Sequence, residues 1–322
     1  MGRDTSIMQL HRPFRFGVVT HNTNASLDAL VARARLAEHL GYSAFLIPDH
    51  LGDQFDTPLA LILVAQATRT LRVGSFVFAN DFRHPALLAK TAATLDVISG
   101  GRFELGLGAG WMQSEYEQIG LAFATPRVRI DRMVEALQVI KGLFSGDPVT
   151  FAGIHYQITG MRGHPSPVQR PHPPILLGGN GKRILSVAAR EADIVSIIPR
   201  GMVELGGLQR IDLADVGSTS VARKVAWIRE AAAERFQDLE LNLFIVDMAL
   251  TDRRGDGADR LAHRFALSRE QVMEIPHLLA GTADQIGEQL REAREEYGIS
   301  YLTVFDEHME QFAPIVAHLA NQ

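Results

Sequence analysis

The amino-acid sequence predicts an α/β fold, a (β/α)8 or TIM barrel with insertions. Three observations support this prediction. Strand-like runs of β-branched and aromatic residues alternate strictly with helix-like runs, eight such units occur, and the 322 residues suit a barrel of about 250 residues plus insertions. A doubly wound open sheet is the main alternative.

The strands are assigned from short apolar runs, and the helices from apolar residues spaced three and four positions apart. In chain order, the predicted strands cover 14–20, 43–48, 72–79, 103–108, 175–177, 193–198, 239–250 and 301–305. The predicted helices cover 26–40, 58–69, 85–98, 127–144, the stretch from the glycines at 178–181 to 190, 219–236, 282–297 and 309–320. Gly41 closes the first helix, as glycine commonly does. A helix joins the third and fourth strands, which makes that part of the sheet parallel.

One domain is predicted over 14–322, after an N-terminal extension over 1–13, because no long polar linker divides the chain. Insertions are expected near 146–173 and 255–280. The first holds an alternating segment that predicts a hairpin, then a loop with five prolines between 165 and 174. The second begins with the charged sequence DRRGDGADR and is expected to form part of a lid.

The composition narrows the class of function. A formal net charge of −5 with no basic block gives no support to nucleic acid or an anionic membrane as a partner. The absence of cysteine excludes disulfides, thiolate nucleophiles and cysteine-ligated metals. With 46% hydrophobic residues, a mean hydropathy of +0.02 and no apolar run near the roughly 20 residues of a membrane span, a cytoplasmic globular protein is expected.

The segment 72–111 carries its unusual residues just after the carboxyl ends of two strands. Ligands of parallel α/β folds bind there, so the sequence predicts a small-molecule enzyme. The glycine cluster at 106–110 fails the G-x-G-x-x-G dinucleotide motif, because Trp111 occupies the third glycine position. In a barrel these glycines let a flat ring or a phosphate approach the backbone, since they lack Cβ atoms. Tight packing at the barrel mouth is the alternative interpretation.

Two further loops end predicted strands with polar residues. Asp49 and His50 follow the second strand, and His50 is suited to hydrogen bonding or proton transfer near neutral pH. Capping of the next segment is the alternative for this pair. Gly178, Gly179 and Asn180 precede a helix whose free N–H groups favour an anion such as phosphate, although a flexible turn explains them equally well.

Other reaction classes lack positive signals. No HExxH motif or compact cluster of histidine and aspartate predicts a metal site, and no G-x-S-x-G motif supports acyl transfer. A phosphate-sugar aldolase or isomerase needs a Schiff-base lysine or a carboxylate base at a strand end. No predicted strand clearly presents such a lysine.

The assembled motifs resemble the bacterial luciferase-like superfamily of flavin- and deazaflavin-dependent oxidoreductases, and more closely its coenzyme F420-dependent branch. The resemblance covers nearly the whole chain. It depends on IPDH after the second strand, on VGSFVFANDFRHPALLAKTAATLDVISGGRFELGLGAGW, on PPILLGGNG and on LLAGTADQIGEQLREAREEYGISYLTV. These motifs specify the superfamily better than the cofactor, because the same barrel serves F420 and FMN enzymes.

The resemblance implies a site for the ring and the phosphate of the cofactor. The matching positions include a non-prolyl cis peptide that supports the ring, groups that bind its polar edge, a backbone that passes close to it, and a loop that receives the phosphate. Phe76 and Val77 match the cis peptide, and Asp49 and His50 match the groups that bind the edge of the ring. Gly108, Ala109 and Gly110 match the backbone close to the ring, and Gly178, Gly179 and Asn180 match the phosphate loop. Phe76 departs from the family, which usually has a small residue there.

The implied reaction is hydride transfer between F420 and a small, apolar organic substrate, with His50 polarising the ring or relaying a proton. An FMN-dependent monooxygenase is the alternative on the same fold, and a non-catalytic flavin-binding protein is the alternative of another class. Trp111 replaces the acidic residue of the F420-dependent sugar-phosphate dehydrogenases, which favours an apolar substrate wall; Glu115, one helical turn further on, is a candidate replacement for that acid. Relatives commonly dimerise, so a homodimer is expected.

Overall fold

The computed structural model describes residues 12–20, 26–200, 212–320 and 322, together with the backbone of two short strands between 203 and 210. Eight parallel strands close a barrel, which confirms the predicted fold. Each predicted strand overlaps one strand of the barrel. The barrel strands are β1 (Arg15–Val19), β2 (Ala44–Ile47), β3 (Arg72–Ser75 and Phe78–Ala79), β4 (Phe103–Gly108), β5 (Ile175–Gly179), β6 (Ile194–Ile197), β7 (Glu240–Phe244) and β8 (Ile299–Phe305).

Parallel pairing runs around the whole barrel. β1 pairs with β2 on one side and with β8 on the other, and the register places Arg15 opposite Tyr301. β3 pairs with β2 and β4, so the sheet has no free edge. The carboxyl ends of all eight strands therefore surround one mouth.

Helices surround the barrel and cover its ends. Among the described residues they are α1 (Leu27–His39), α2 (Thr57–Ala67), α3 (Pro85–Ser99), α4 (Gln113–Gln118), α5 (Pro126–Phe144), α6 (Lys182–Glu191), α7 (Leu213–Val216), α8 (Ser218–Ala232), α9 (Arg254–Phe265), α10 (Arg269–Met273), α11 (Ala283–Tyr297) and α12 (Met309–Leu319). No helix in this part of the chain is both long and apolar enough to span a bilayer.

β3 is interrupted at the position that the resemblance indicates. The peptide bond between Phe76 and Val77 is cis, and neither residue is proline. The strand resumes at Phe78, which pairs with Leu107 of β4. Because of this interruption, Phe76 and Val77 do not take part in the strand pairing at the barrel mouth.

The prediction of one long strand over 239–250 is wrong. β7 ends at Phe244, and Asp247–Leu250 leaves the barrel to pair in parallel with Leu278–Gly281. The partner strand lies about thirty residues later in the chain, so the apolar pattern gave no sign of the break. Within the expected insertion at 255–280, the chain forms α9 and α10.

The other predicted insertion, at 146–173, begins as expected. Val149–Ala152 and Gln157–Met161 form an antiparallel hairpin, and a loop with two cis prolyl bonds follows. The N-terminal extension expected over 1–13 lies outside the described residues except for Arg12 and Pro13. The division of the chain into one domain over 14–322 stays a prediction.

The amino end of the barrel interior is filled by charged side chains. We call Arg15, Arg72, Glu104 and Glu240 the charged plug. Glu104 lies 2.5 Å from both arginines, and Arg15 also lies 2.5 Å from Glu240. Burial alone would raise the pKa of Glu104, but the arginines outweigh it and hold that pKa below its ordinary value. The plug therefore closes the end of the barrel opposite the mouth.

Candidate active site at the barrel mouth

The structure brings His50 and Glu115 into contact. His50 follows β2, and Glu115 is buried on α4, 65 residues later in the chain. His50 Nδ1 lies 3.1 and 3.2 Å from the two carboxylate oxygens, and the Leu51 N–H donates to Glu115 Oε1 at 2.8 Å. An ionised carboxylate only accepts hydrogen bonds, so the neutral imidazole carries its proton on Nδ1 and keeps its lone pair on Nε2. Nε2 has no hydrogen-bond partner among the described residues.

Asp49, the neighbour of His50, is engaged within the protein. Its carboxylate binds the Arg83 guanidinium through both oxygens, at 2.5 and 2.9 Å, and accepts a 3.0 Å hydrogen bond from the Ala79 N–H. These bonds tie the loop after β2 to the second half of β3. The geometry favours a positioning role for Asp49, and the direct contact with a ring edge stays a prediction.

The glycine cluster at the end of β4 serves internal packing. A Cβ on Gly108 would lie 2.5 Å from Val77 Cγ2, and a Cβ on Gly110 would lie 2.0 Å from the Tyr116 hydroxyl oxygen. Gly110 also has a φ of +78°, which favours glycine. At Gly108 and Gly110 these distances favour the alternative interpretation, tight packing at the barrel mouth. Whether the backbone of Ala109 and Gly110 passes close to a ring stays a prediction.

Three phenylalanines close the top of the barrel interior. Phe76 follows the first half of β3, Phe244 ends β7 and Phe305 ends β8. The Phe76 and Phe244 rings stack with centroids 5.8 Å apart, and Phe305 meets Phe244 edge to face at 4.6 Å. Phe244 is buried, whereas the other two are only partly covered. This phenylalanine cluster gives the mouth an apolar floor.

The insertion covers one side of this floor. Leu261 and Phe265 of α9 belong to the same apolar cluster as Phe244, and Phe76 and Phe305 pack against that cluster. Because the insertion follows β7 at its carboxyl end, it lies over the mouth. The expected lid therefore has a suitable position, and its movement stays a prediction.

Trp111 lies at the rim of the mouth. Its side chain is 70% exposed, and its ring meets the His50 imidazole edge to face at 5.7 Å. A large aromatic surface that remains exposed next to a polar pair is unusual in a soluble protein. Its location is compatible with the substrate wall that the sequence suggested.

The loop at 178–181 leads directly into α6, whose first residue is Lys182. Gly181 provides no side-chain cap, so the first N–H groups of this helix remain available to a ligand. Lys182 lies 3.1 Å from Glu230, and Arg183 pairs with Asp131. Both cationic side chains are therefore already paired with carboxylates.

Several residues of the mouth were missed at the level of sequence. They are Phe244, Phe305, Arg83 and Arg129. Arg129 of α5 donates to the Ala109 carbonyl oxygen at 3.2 Å and so holds the glycine cluster in place. Phe305 ends a predicted strand, which is a usable signal, but Phe244 was hidden inside the overlong strand. Nothing local indicates that Arg83 reaches Asp49.

A metal centre finds no support in this arrangement. The described ranges contain no group of three or more histidine, aspartate or glutamate side chains that is suited to hold a metal ion. Lys224 is buried, but it lies on α8 and binds Asp215 at 3.0 Å rather than pointing from a strand end. A Schiff-base role for this lysine is therefore disfavoured.

Comparison with known proteins identifies the family. The family model described as luciferase-like monooxygenase matches residues 10–205. The chain therefore belongs to the luciferase-like monooxygenase family, as its motifs predicted. The fold agrees: the solved structure of a coenzyme F420-dependent tetrahydromethanopterin reductase from Methanopyrus kandleri superposes with a TM-score of 0.74 at 18% identity, over 96% of this chain and 100% of that one.

Relatives of known activity use two cofactors. The F420-dependent hydroxymycolic acid dehydrogenase of Mycobacterium tuberculosis is 31% identical over 185 residues, which are 55% of this chain and 51% of that protein. The FMNH2-dependent dimethylsulfone monooxygenase of Pseudomonas putida is 33% identical over 127 residues, 39% of this chain and 35% of that protein. The chain thus aligns with about half or less of the length of these relatives.

Proposed function

We propose that this protein is an F420-dependent oxidoreductase that transfers a hydride between the deazaflavin and a small, apolar organic substrate. The observation that carries the proposal is the contact between His50 and Glu115 at the rim of an apolar mouth. An FMN-dependent monooxygenase is the second candidate, because relatives of both kinds align with the chain.

The residues of the mouth fit a tricyclic ring with a phosphate-bearing side chain. The phenylalanine cluster offers an apolar surface, and the cis peptide between Phe76 and Val77 lies at its edge. The uncapped start of α6 after Asn180 offers backbone N–H groups to a phosphate. When bound, the deazaflavin would accept or supply the hydride, while the protein orients it and manages the proton.

His50 is proposed to move that proton. When an alcohol carbon loses a hydride, its hydroxyl must lose a proton, and Nε2 of His50 has the free lone pair to accept it. Glu115 would stabilise the resulting imidazolium through Nδ1, 3.1 Å away. In the reductive direction the same proton returns from Nε2 to the carbonyl oxygen. Glu115 is therefore proposed to act through His50 and to set its tautomer.

The substrate is proposed to lie between Trp111 and the phenylalanine cluster. The exposed indole and the partly covered rings of Phe76 and Phe305 would contribute apolar contact and exclude water. No arginine or lysine is seen to pair with the His50–Glu115 site in the described residues. This composition supports an apolar group rather than a phosphate near the reacting carbon.

The first experiment is a fluorescence titration of the purified protein with F420 and, separately, with FMN. Binding of F420 with FMN much weaker is expected. Preference for FMN would move the protein to the monooxygenase class and make oxygen the co-substrate to test. Failure to bind either cofactor would overturn the enzyme assignment.

Turnover then separates an enzyme from a protein that only carries a cofactor. The loaded protein should reduce or oxidise members of a panel of small alcohols and ketones, with the F420 absorbance as readout. Binding without turnover of any substrate or electron acceptor would favour the binding-protein alternative. The His50→Ala variant provides the control, because it should keep the fold and lose the turnover.

A homodimer is also proposed, through the outer faces of α2 and α3. Leu59 and Leu87 are 63% and 64% exposed, and Leu63 is exposed beside them. α2 is apolar on all sides, a pattern typical of a helix that is covered on its outer face as well. A second copy of the chain would cover this surface.

A further inference from the structure

A cavity lies between the insertion and the turn after β8, and neither His50 nor Glu115 lines it. It has a volume of about 330 Å³ and lies between α9 and the start of α12. Arg260 and Arg264 of α9, His308, Gln311 and the buried Asp247 line it. We call it the α9–α12 cleft. Its volume is within the usual range for small-molecule sites.

Hydrogen-bond donors outnumber acceptors on the walls of this cleft. Arg260 is exposed and has no ion pair or hydrogen bond among the described residues. Arg264 lies 2.8 Å from Asp247 through one nitrogen and keeps its other donors free. Each guanidinium offers five N–H groups and no acceptor, so two of them exceed what one carboxylate satisfies.

The spacing of the two arginines strengthens the argument. They are four positions apart on α9, so their side chains are neighbours on one face of the helix. Like charges in this arrangement repel and destabilise a helix. Arg264 pairs with Asp247, whereas Arg260 has no ion pair among the described residues.

Two buried groups of the cleft lack hydrogen bonds. His308 is 8% exposed and its Nε2 lies 3.3 Å from Asp247 and 3.5 Å from Glu307, yet it makes no hydrogen bond in the described structure. Asp247 Oδ2 has no hydrogen bond either, although Arg264 lies 2.8 Å away. As an acceptor, this oxygen competes with an anion for the Arg264 guanidinium, whereas a buried imidazole nitrogen without a partner is uncommon and calls for an explanation.

We propose that the α9–α12 cleft binds a compact anion, a carboxylate or a phosphate group, between Arg260, Arg264 and His308. The anion would accept hydrogen bonds from both guanidinium groups, in the paired geometry that arginine forms with such groups. It would also bring the insertion and the turn after β8 together, since its ligands come from both. The lining of the cleft includes neither member of the His50–Glu115 pair and no ring of the phenylalanine cluster.

The test is binding of inorganic phosphate and of acetate, each titrated into the protein by calorimetry at constant ionic strength. Arg260→Gln is expected to weaken the binding about tenfold, because it removes charge-assisted hydrogen bonds from an exposed side chain. Arg253→Gln removes the same charge from an exposed position just before α9, outside the cleft, and should leave the affinity unchanged. Preference for phosphate or for acetate would assign the chemical class of the anion.

Asp247→Asn gives a change of opposite sign. Replacing the competing carboxylate by an amide of the same size should tighten binding of phosphate or acetate, whereas damage to the fold would weaken it. Thermal unfolding of each variant checks that the fold is kept. Absence of binding for both anions, or an equal loss in the Arg253→Gln and Arg260→Gln variants, would overturn the proposal. Neither outcome depends on whether F420 binds.

Discussion

At the amino end of the barrel the charges are buried and paired with one another, whereas at the carboxyl end the His50–Glu115 pair keeps one imidazole nitrogen without a partner. Glu104 is almost fully buried and is shared by Arg15 and Arg72. His50 is partly exposed, and its Nδ1 is held by a buried carboxylate. Both ends thus contain ionisable groups inside the barrel, but only one end leaves a titratable atom accessible to a ligand.

This difference shows how to separate stability from function in a (β/α)8 barrel. Polar residues at the amino ends of the strands contribute to the fold, and those at the carboxyl ends contribute to the chemistry. Substitutions at the charged plug should therefore alter the free energy of unfolding, and substitutions at the mouth should alter binding and turnover. Four predictions test this separation.

The largest effect is expected from Glu104→Gln in the charged plug. The amide keeps the size of the side chain but removes the charge that Arg15 and Arg72 share, so that Glu240 is the one carboxylate left in the charged plug. The free energy of unfolding should fall by about 3–5 kcal/mol, as for other broken buried ion pairs. Urea unfolding measures it, and the affinity of the folded fraction for cofactor should stay unchanged. A loss below about 1 kcal/mol would mean that the plug behaves like a surface ion pair.

As the pH falls, the first loss of stability is expected at His277, next to the end of β7. His277 is buried beside Phe244, and burial lowers its pKa from 6.5 to about 4. The unfolded chain therefore binds more protons than the folded one between pH 6.5 and 4, so stability falls by roughly 3 kcal/mol as the pH falls through this window. The pKa of Glu104 lies below its ordinary value of 4.5, so the stability that Glu104 contributes is lost only as the pH falls below 4.5.

The variant His277→Asn isolates this contribution. The Asn amide can donate to the Phe244 carbonyl oxygen as the imidazole N–H does, but it does not titrate. Urea unfolding at pH 7 and pH 5 should show a smaller difference for the variant than for the wild type. An identical pH dependence in both proteins would contradict the assignment to His277.

At the mouth, His50→Ala should lower turnover about a hundredfold, the usual contribution of a general acid or base. Glu115→Gln should lower it less, because the amide oxygen still accepts from Nδ1–H but no longer offsets the charge of an imidazolium. Neither change should approach the loss of stability caused by Glu104→Gln. Turnover and cofactor affinity of His50→Ala both within twofold of wild type would rule out the proposed role.

The smallest effect on the fold is expected on the outer surface of α2 and α3. The double variant Leu59→Lys and Leu87→Lys should convert a dimer into a monomer, with little change in the unfolding of each copy. Light scattering after size exclusion measures the mass. Ile154→Lys, at a lone position that is 91% exposed on the hairpin, is the matched control and should leave the mass unchanged. A monomeric wild type at micromolar concentration would remove the proposal.

Local sequence patterns were sufficient for most of the fold. The eight barrel strands follow from apolar runs with turn signals between them, and the break in β3 at Phe76 and Val77 follows from the family resemblance. The strand assignment failed at one place, where pairing is with a distant segment. The strand over 239–250 is split because Asp247–Leu250 finds a partner at Leu278–Gly281, and pairing with a distant segment leaves no mark in a local pattern.

The candidate site was predicted residue by residue but not as an arrangement. Asp49, His50, Trp111 and Glu115 were all named from the sequence, and their positions near strand ends required only the order of elements. The sequence did not indicate that Glu115 binds His50, since 65 residues separate them. It also did not indicate that a Cβ on Gly108 would lie 2.5 Å from Val77 Cγ2.

The sequence by itself determined the barrel, its family and the end of the barrel at which we expect the chemistry, because these depend on residue types along the chain. The tertiary structure decided which groups are already satisfied and which remain free. The Asp49 carboxylate is paired with Arg83. Among the described residues, by contrast, His50 Nε2 has no hydrogen-bond partner and Arg260 has no ion pair. Whether a polar group has a partner depends on distances of about 3 Å between segments far apart in the chain, and only folding sets those distances.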